Sequence, residues 1–258
     1  MNEIFALTGK TALVAGASRG IGLAIAQGLA DAGAHTILAS RSLDKLESHA
    51  RALKEKGYSA EAVRMDVSDP KSIDEAISGL GDIDILINVA GTNIRKRFQD
   101  YTQEEYDLIL QTNLHGLVRL TQKIGAKMIA RGKGGKVISI GSLISLIGLP
   151  YLSIYGITKG ALGQLTKVLA AEWGRYNIQV NCIAPGFIIT DLNRAMWKEQ
   201  KLIDWRHGSQ ANPEAGTSED VAALATFLSG RGANYITGQV ISVDGGQATT
   251  GVWPFEPA

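Results

Sequence analysis

Short apolar runs alternate with segments of helical periodicity along almost the whole chain. The runs are rich in Val, Ile, Leu and Ala at successive positions, which is typical of strands buried on both faces. Between them, apolar residues recur three or four positions apart, which predicts helices with one buried face. The predicted strands are Lys10–Ala17, His35–Ser40, Ala60–Asp66, Ile83–Val89, Lys136–Ser142, Gln179–Ile183 and Gln239–Val243. The predicted helices are Gly20–Ala32, Leu43–Lys56, Lys71–Gly79, Gln103–Arg131, Leu152–Gly174 and Ser218–Ser229.

Strands that alternate with helices predict an α/β fold with a doubly wound, seven-stranded parallel sheet and helices on both faces. We treat the 258 residues as one domain, 1–258, because single α/β domains reach about 250 residues. The region Phe187–Thr217 matches neither pattern and is longer than an ordinary connection. It is therefore predicted to be an irregular substrate lid.

The composition of the chain mainly excludes certain partners and covalent features. Hydrophobic residues make up 45% of the chain and charged residues 20%, which is typical of a soluble globular protein. Lys and Arg total 26 against 25 Asp and Glu, so no overall positive field favours nucleic acid or an anionic membrane as partner. The single cysteine excludes an internal disulfide, and no signal-peptide or membrane-span pattern is present. These features predict a cytoplasmic protein.

A glycine-rich turn follows the first predicted strand and opens the first predicted helix. Its glycines allow a tight turn and the close approach of a phosphate to the helix N-terminus. The turn residues expected to hold a dinucleotide diphosphate are Gly16, Ser18, Arg19, Gly20, Ile21 and Gly22. A purely structural turn is the plain alternative. The same residues also fit the G-x-S-x-G elbow of a serine hydrolase, with His207 as its base, but that interpretation leaves the motifs described next unexplained.

Ser40 and Arg41 stand at the end of the second predicted strand, where NAD-dependent enzymes place an acidic residue. Arg41 and Arg19 can converge on a 2′-phosphate, which guanidinium groups bind bidentately. The sequence therefore predicts NADP in preference to NAD. The alternative is that Arg41 only caps or solvates the helix that follows.

Tyr155 and Lys159 are four residues apart in a predicted helix, and Ser142 ends the strand before it. Residues i and i+4 share a helix face, so the Lys159 ammonium can lie beneath the Tyr155 phenol. A nearby cation stabilises a phenolate, which makes the hydroxyl a usable acid and base. Ser142 would orient a carbonyl by a hydrogen bond. The alternatives are that Ser142 only ends a strand and that Tyr155 is only a buried tyrosine of the helix.

Taken together, these motifs resemble the short-chain dehydrogenase/reductase family, from Gly9 to Gly246. The resemblance implies a Rossmann fold and hydride transfer between nicotinamide C4 and a carbonyl carbon, with Tyr155 moving the proton and Lys159 on the nicotinamide ribose. It implies that Asn113 holds a helix bulge whose water relays protons from Lys159. Cofactor contacts are implied for Asp66, Val67, Asn88, Ala90, Gly91, Pro185, Gly186, Ile188 and Thr190. Ala15 and Val89 depart from the usual Thr and Asn. A non-catalytic NADP sensor stays an alternative, although the complete catalytic set argues against it.

Arginines and lysine on one loop, Arg95-Lys96-Arg97, together with lid residues, predict a cationic rim around the substrate site. Such a rim suits an anionic substrate, and a solvated basic loop is the alternative. The candidate substrate residues are Arg95, Arg97, Ser142, Arg194, Trp197 and His207. Asn93–Arg97 and Asn177–Gly186 resemble enzymes of the gluconate 5-dehydrogenase and 2-keto-3-deoxygluconate type, which implies a sugar, sugar acid or polyol. The alternative substrate is a 3-oxoacyl thioester on an acyl carrier protein.

Two further expectations concern metals and assembly. The four histidines show no metal-ligand spacing, so no metal is expected. Trp253 and Phe255 follow the last predicted strand, where a monomer has little to bury them, so they are predicted to pack on a neighbouring subunit. The family resemblance implies a homotetramer.

Overall fold

The structure is a computed structural model that describes residues 4–190 and 193–251. Seven strands form one sheet in the order β3-β2-β1-β4-β5-β6-β7. They are β1 (Thr11–Ala15), β2 (His35–Ser40), β3 (Ala60–Arg64), β4 (Ile85–Asn88), β5 (Gly135–Ile140), β6 (Ile178–Pro185) and β7 (Val240–Val243). The α-helices are α1 (Gly20–Asp31), α2 (Leu43–Glu55), α3 (Pro70–Ser78), α4 (Gln103–Leu110), α5 (Gly116–Arg131), α6 (Ser153–Trp173), α7 (Gln200–His207) and α8 (Ser218–Ser229).

Helices cover both faces of the sheet, and every strand pair is parallel. Neighbouring residues of β1 show this, because Val14 belongs to one buried cluster and Leu13 to the other. The first cluster includes α1, α2 and α8 through Leu29, Leu46 and Leu228. The second includes α3, α5 and α6 through Ile73, Leu117 and Leu162. The predicted doubly wound parallel sheet is confirmed.

The strand order reverses direction between β1 and β4, which opens a crevice at the carboxyl ends of these strands. The segments leaving the two strands are joined there, since the amides of Val89 and Ala90 donate to the Ala15 carbonyl at 2.9 and 2.8 Å. Gly16 is needed at this crossing. A Cβ on Gly16 would lie 2.6 Å from the Ala90 nitrogen, and its φ of 108° is left-handed. That φ also ends β1 two residues before the predicted end at Ala17.

The segment predicted to be helical, Gln103–Arg131, is helical throughout but is not one regular α-helix. A π-helical segment, Gln111–His115, separates α4 from α5. Tertiary contacts explain the break, because a Cβ on Gly116 would lie 1.8 Å from the Val67 carbonyl oxygen, so the helix presses directly on neighbouring backbone. The bulge turns the side chain of Asn113 inward, where it is fully buried. The helix bulge that the family resemblance implies at Asn113 is therefore present.

The region predicted to be an irregular lid contains regular structure. A 3-10 turn, Met196–Lys198, and the short helix α7 interrupt it. Aromatic packing orders it, since the Phe187 ring centroid lies 5.0 Å from that of Trp197 and 5.1 Å from that of Trp205. The Arg206 guanidinium lies 5.7 Å from the Trp197 centroid. The prediction of irregular structure throughout the region is wrong, and the lid function stays a prediction.

None of the helices within the described ranges is long and apolar enough to cross a membrane. The tail residues Trp253 and Phe255, predicted to pack on a neighbouring subunit, lie outside the described residues.

Candidate active site

A cavity of about 680 Å³ lies at the carboxyl edge of the sheet, beside the crevice between β1 and β4. Its size is that of a pocket for a drug-sized ligand. Among the predicted site residues, those that line it are Arg19, Ile21, Gly91, Arg95, Ser142, Tyr155, Lys159, Pro185, Gly186, Ile188, Thr190 and Trp197. Loops from both halves of the sheet therefore contribute, although these residues are far apart in the chain.

The first turns of α6 hold Tyr155 and Lys159 against the end of β5. The Lys159 side chain is buried, and its Nζ donates a hydrogen bond of 2.7 Å to the Ile140 carbonyl. Nζ lies 5.6 Å from the centroid of the Tyr155 ring. A buried cation held beside a phenol stabilises negative charge on the phenol oxygen. The i, i+4 arrangement predicted for this pair is present in the helix.

Ser142 follows β5 directly and starts a short 3-10 turn. Its Oγ accepts a hydrogen bond of 3.3 Å from the Ile144 amide, so the hydroxyl hydrogen stays available as a donor. Ser145 joins this turn to α6, because its Oγ accepts from the Ser142 amide at 3.1 Å and donates to the Lys159 carbonyl at 2.9 Å. Sequence reasoning missed Ser145. The Ser-x-x-Ser spacing, typical of a reciprocal cap, could have indicated it.

Asn113 links the loop after β4 to α6, the helix that carries Tyr155 and Lys159. Its Oδ1 accepts from the Thr92 amide at 2.7 Å, and its Nδ2 donates to the Thr92 carbonyl at 2.8 Å. Nδ2 also lies 3.3 Å from Thr158 Oγ1, which donates to the Tyr155 carbonyl at 2.7 Å. A continuous chain of hydrogen bonds therefore runs from Thr92 to the backbone of Tyr155. Thr158 was not predicted, and no local pattern distinguishes it from an ordinary helix threonine.

The glycine-rich turn has the features of an anion cradle. The Arg19 side chain makes no capping hydrogen bond at the N-terminus of α1, and the first turn of this helix contains no acidic residue, which favours an anionic ligand at its amides. Gly20 has a φ of 54°. A Cβ on Gly22 would lie 2.1 Å from the Gly16 carbonyl oxygen, so only glycine allows this close packing. These observations fit a bound diphosphate.

The residues predicted around the adenosine half take different positions. Arg41 is exposed directly after β2, and the Ser40 Oγ accepts from the Ser42 amide at 3.2 Å. Asp66 is half-buried, and its Oδ1 accepts from the amide of Ser68. Val67 is buried. Ala90 is half-buried beside the glycine-rich turn.

Asn88 points away from the cavity. It is fully buried, and its Nδ2 donates to Thr121 Oγ1 at 2.8 Å and lies 3.4 Å from Ser139 Oγ. This polar cluster connects β4 to α5 and β5. In this position Asn88 braces the strand that carries the adenine-side loop, and its side chain lies away from the space where a ligand would bind.

The charge of the cavity is one-sided. The described lining residues include the cations Arg19, Arg95 and Lys159 and no Asp or Glu. The described partner of the Arg95 guanidinium is weak, the Met196 thioether at 3.1 Å from Nη1. Such a cavity attracts anionic ligands.

The loop that carries Arg95 is braced on both sides. Tyr101 OH donates to the Ile94 carbonyl, and the Lys96 amide donates to the Tyr151 carbonyl at 3.1 Å. Lys96 Nζ forms an ion pair of 2.6 Å with Glu105, which lowers the pKa of that carboxyl. Arg95 is therefore presented from a backbone held in place on either side.

Three candidate substrate residues are not brought to the cavity. Arg97 and Arg194 are exposed and outside its lining, and His207 lies at the exposed end of α7, with Nε2 3.5 Å from Arg206 Nη2. Residues that the sequence did not indicate also line it, including Thr92 and Met196.

The chain was then compared with known proteins. A family model described as enoyl-(acyl carrier protein) reductase matches residues 16–248. The chain belongs to the short-chain dehydrogenase/reductase family. It is accordingly an oxidoreductase, as the resemblance of its motifs implied. Two curated relatives and one solved structure illustrate the similarity.

A gluconate 5-dehydrogenase of Gluconobacter oxydans is 35% identical over 95% of this chain and 96% of that protein. A tropinone reductase homolog of Arabidopsis thaliana is 39% identical over 96% of this chain and 95% of that protein. The crystal structure of a gluconate 5-dehydrogenase from Burkholderia cenocepacia in complex with NADP and tartrate is 35% identical. It covers 96% of this chain and 98% of that one, with a TM-score of 0.92.

Membership of the short-chain dehydrogenase/reductase family leaves the serine hydrolase alternative without support. The geometry also gives Ser18 no base at its hydroxyl among the described contacts. The imidazole described near Ser18 belongs to His49, and its Nε2 lies 3.2 Å from the carbonyl oxygen of Ser18. His207, the base considered for that alternative, lies at the end of α7 in the lid region. Burial also raises the pKa of the Cys182 thiol to about 11, which makes it a poor nucleophile near neutral pH.

Proposed function

We propose that the protein interconverts a secondary alcohol and a ketone by NADP(H)-dependent hydride transfer, with Tyr155 as acid and base and a sugar acid or related polyol as substrate. The observation that carries the proposal is the joint placement of Ser142, Tyr155 and Lys159 in one cavity whose described charges are all positive. The relatives support it, because one of them is a gluconate 5-dehydrogenase crystallised with NADP and tartrate.

The cofactor would bind along the crevice between β1 and β4. The glycine-rich turn would hold its diphosphate, and Arg19 and Arg41 would bind the 2′-phosphate. Asp66 and Val67 would contact the adenine. Ala90 and Gly91 would lie near the adenine and its ribose. Pro185 at the end of β6, with Gly186, Ile188 and Thr190 after it, would hold the nicotinamide carboxamide. Bound NADPH supplies the hydride.

In the direction of reduction, the Tyr155 hydroxyl donates a proton to the carbonyl oxygen as the hydride reaches the carbonyl carbon. The Lys159 ammonium stabilises the phenolate that is left. Ser142 donates a hydrogen bond to the same carbonyl oxygen. The Ser142 oxygen accepts from the Ile144 amide, and its hydroxyl hydrogen stays available for the substrate. In oxidation the Tyr155 phenolate removes the proton from the alcohol.

Arg95 is the residue that favours an anionic substrate. Its guanidinium faces the cavity from a braced loop and has only the Met196 thioether as described partner, so a substrate carboxylate gains a bidentate ion pair there without displacing a protein carboxylate. The alternative substrate, a 3-oxoacyl thioester, would place its acyl chain against the apolar wall formed by Leu143, Ile144 and Leu149.

Steady-state kinetics with sugar acids, polyols and 3-oxoacyl thioesters test the proposal. We expect turnover with NADPH and a sugar acid, and a fall in kcat of about 10²–10⁴-fold in Tyr155→Phe with NADPH affinity unchanged. Arg95→Gln should raise KM for the anionic substrate and leave KM for a neutral polyol unchanged, whereas Arg97→Gln should change neither. Full turnover in Tyr155→Phe would show that another group is the acid.

We also propose a homotetramer, as the family resemblance implies. Apolar side chains on outward faces of α4, α5 and α6 support it, because Leu108, Val118, Ile157 and Val168 are between 37% and 51% exposed. Light scattering coupled to gel filtration measures the mass directly, and a stable monomer at micromolar concentration would refute the proposal.

A further inference from the structure

The amino ends of four central strands meet at the edge of the sheet opposite the active-site cavity. Here lies a second cavity of about 150 Å³, which we call the amino-edge pocket. The charged residues that line it are Lys10 before β1, Asp84 before β4, Lys133 and Lys136 around the start of β5, and Arg231 after α8. Among the described residues, four cations thus line the pocket with one carboxylate, although the whole chain has a net charge of only +1.

The carboxylate described in the pocket, Asp84, is already paired with other groups. Asp84 forms an ion pair of 3.0 Å with Arg131, which lies beside the pocket, and another of 3.7 Å with Lys10. It also accepts a hydrogen bond of 3.0 Å from the Thr11 amide. The described ion pairs of Asp84 are therefore with Lys10 and Arg131, and not with Lys133, Lys136 or Arg231.

Lys136 is the buried cation of the pocket, whereas Lys10, Lys133 and Arg231 are exposed. The residue is 8% exposed, and its Nζ donates to the Asn234 side-chain oxygen at 2.9 Å. Within the described residues it forms no ion pair, so one neutral amide is the partner of a group with three donors. Burial, and secondly repulsion from Lys10, lowers the pKa of Lys136 to about 8. An ammonium buried without a counterion is unfavourable, and an anion in the pocket would relieve this.

We propose that the amino-edge pocket binds a compact oxyanion of the phosphate class, held by Lys136, Lys10, Lys133 and Arg231. At about 150 Å³ the pocket is smaller than the pockets of about 300–1,000 Å³ that hold cofactors and drug-sized molecules, and this size fits a compact oxyanion. A bound oxyanion ties together the starts of β1, β4 and β5, which are distant in sequence. It therefore stabilises the sheet from the edge opposite to catalysis. The proposal does not depend on the reaction or on the substrate.

Thermal unfolding with inorganic phosphate, compared with potassium chloride at the same ionic strength, tests the pocket. At a tenfold excess over its dissociation constant, phosphate should raise the melting temperature by about 3–5 °C. The measurement is repeated with saturating NADPH, which occupies the proposed cofactor turn and excludes phosphate from it. We expect the rise to persist with NADPH present.

Lys136→Met should abolish the rise that phosphate causes, whereas Lys45→Met, an exposed lysine of α2, should keep it. If Lys136→Met does not fold, Arg231→Gln, a substitution at an exposed residue, is used as the test instead. It should lower phosphate affinity three- to tenfold. An equal response to chloride and phosphate would overturn the proposal. Full phosphate response in Lys136→Met, or in Arg231→Gln where the first variant is unfolded, would overturn it as well.

Discussion

Replacement of Asn113 by alanine should weaken both the stability and the activity of the protein. Asn113 is fully buried in the π-helical segment and makes hydrogen bonds to the amide and carbonyl of Thr92 and to Thr158. Alanine removes all three bonds. It separates the loop after β4 from the helix that carries Tyr155, because Thr158 is the link between them.

The size of the effect follows from these bonds. Each hydrogen bond contributes about 0.5–1.5 kcal/mol net, and a backbone group left without a partner adds to the loss. Thr92 is half-buried, so water can replace part of what is lost. We therefore expect the free energy of unfolding to fall by about 2–4 kcal/mol, which lowers the melting temperature by about 5–12 °C. At temperatures below the melting transition, where the variant is still folded, kcat should fall at least tenfold.

Calorimetry and steady-state kinetics on matched variants measure both effects. Thr158→Val is the control, because it leaves the two bonds to Thr92 in place, and its melting temperature should fall by less than half as much. Asn113→Asp keeps an acceptor for the Thr92 amide and loses the donor to the Thr92 carbonyl, so it should lie between. If Asn113→Ala melts within 1 °C of the native protein with unchanged kcat, the hydrogen-bond reasoning fails.

Three other predictions concern the turn, the cofactor and the cysteine. Gly22→Ala should raise the dissociation constant of NADPH at least tenfold in a fluorescence titration, because its Cβ would lie 2.1 Å from the Gly16 carbonyl oxygen, while Gly81→Ala, which meets no atom within 4 Å, should have no effect. Arg41→Asp should shift the ratio of kcat/KM from NADPH towards NADH by more than tenfold, and an unchanged ratio would argue against a 2′-phosphate contact. Cys182 should resist iodoacetamide in the folded protein at pH 8, because burial raises the pKa of its thiol to about 11, so rapid labelling measured by mass spectrometry would contradict the buried position.

Most of the secondary structure could be predicted from local signals. Strands buried on both faces are continuous apolar runs and amphipathic helices repeat every 3.6 residues, and the carboxyl edge of a parallel sheet collects the residues that follow each strand. This is why Ser142, Tyr155 and Lys159 were correctly predicted to face one cavity. The short helix α7 was missed because eight residues carry too little periodic signal.

Residues whose contacts are distant in sequence could not be placed in advance. A cofactor contact was implied for Asn88 by the family resemblance, yet its side-chain amide bonds to α5 and β5. Arg97 was grouped with Arg95 on one basic loop, but only Arg95 lines the cavity. A loop directs neighbouring side chains differently, and charge patterns in a sequence do not contain that direction.

The amino-acid order was sufficient for the fold class, the glycine-rich turn and the grouping of Ser142, Tyr155 and Lys159, since these depend on periodicity and spacing within short segments. The tertiary structure decided where α4 ends and the bulge begins, which serine connects Ser142 to α6, and how cations gather around Lys136 at the amino edge. These features arise where backbone from distant segments packs closely. Burial and long-range hydrogen bonds then determine each side chain's position.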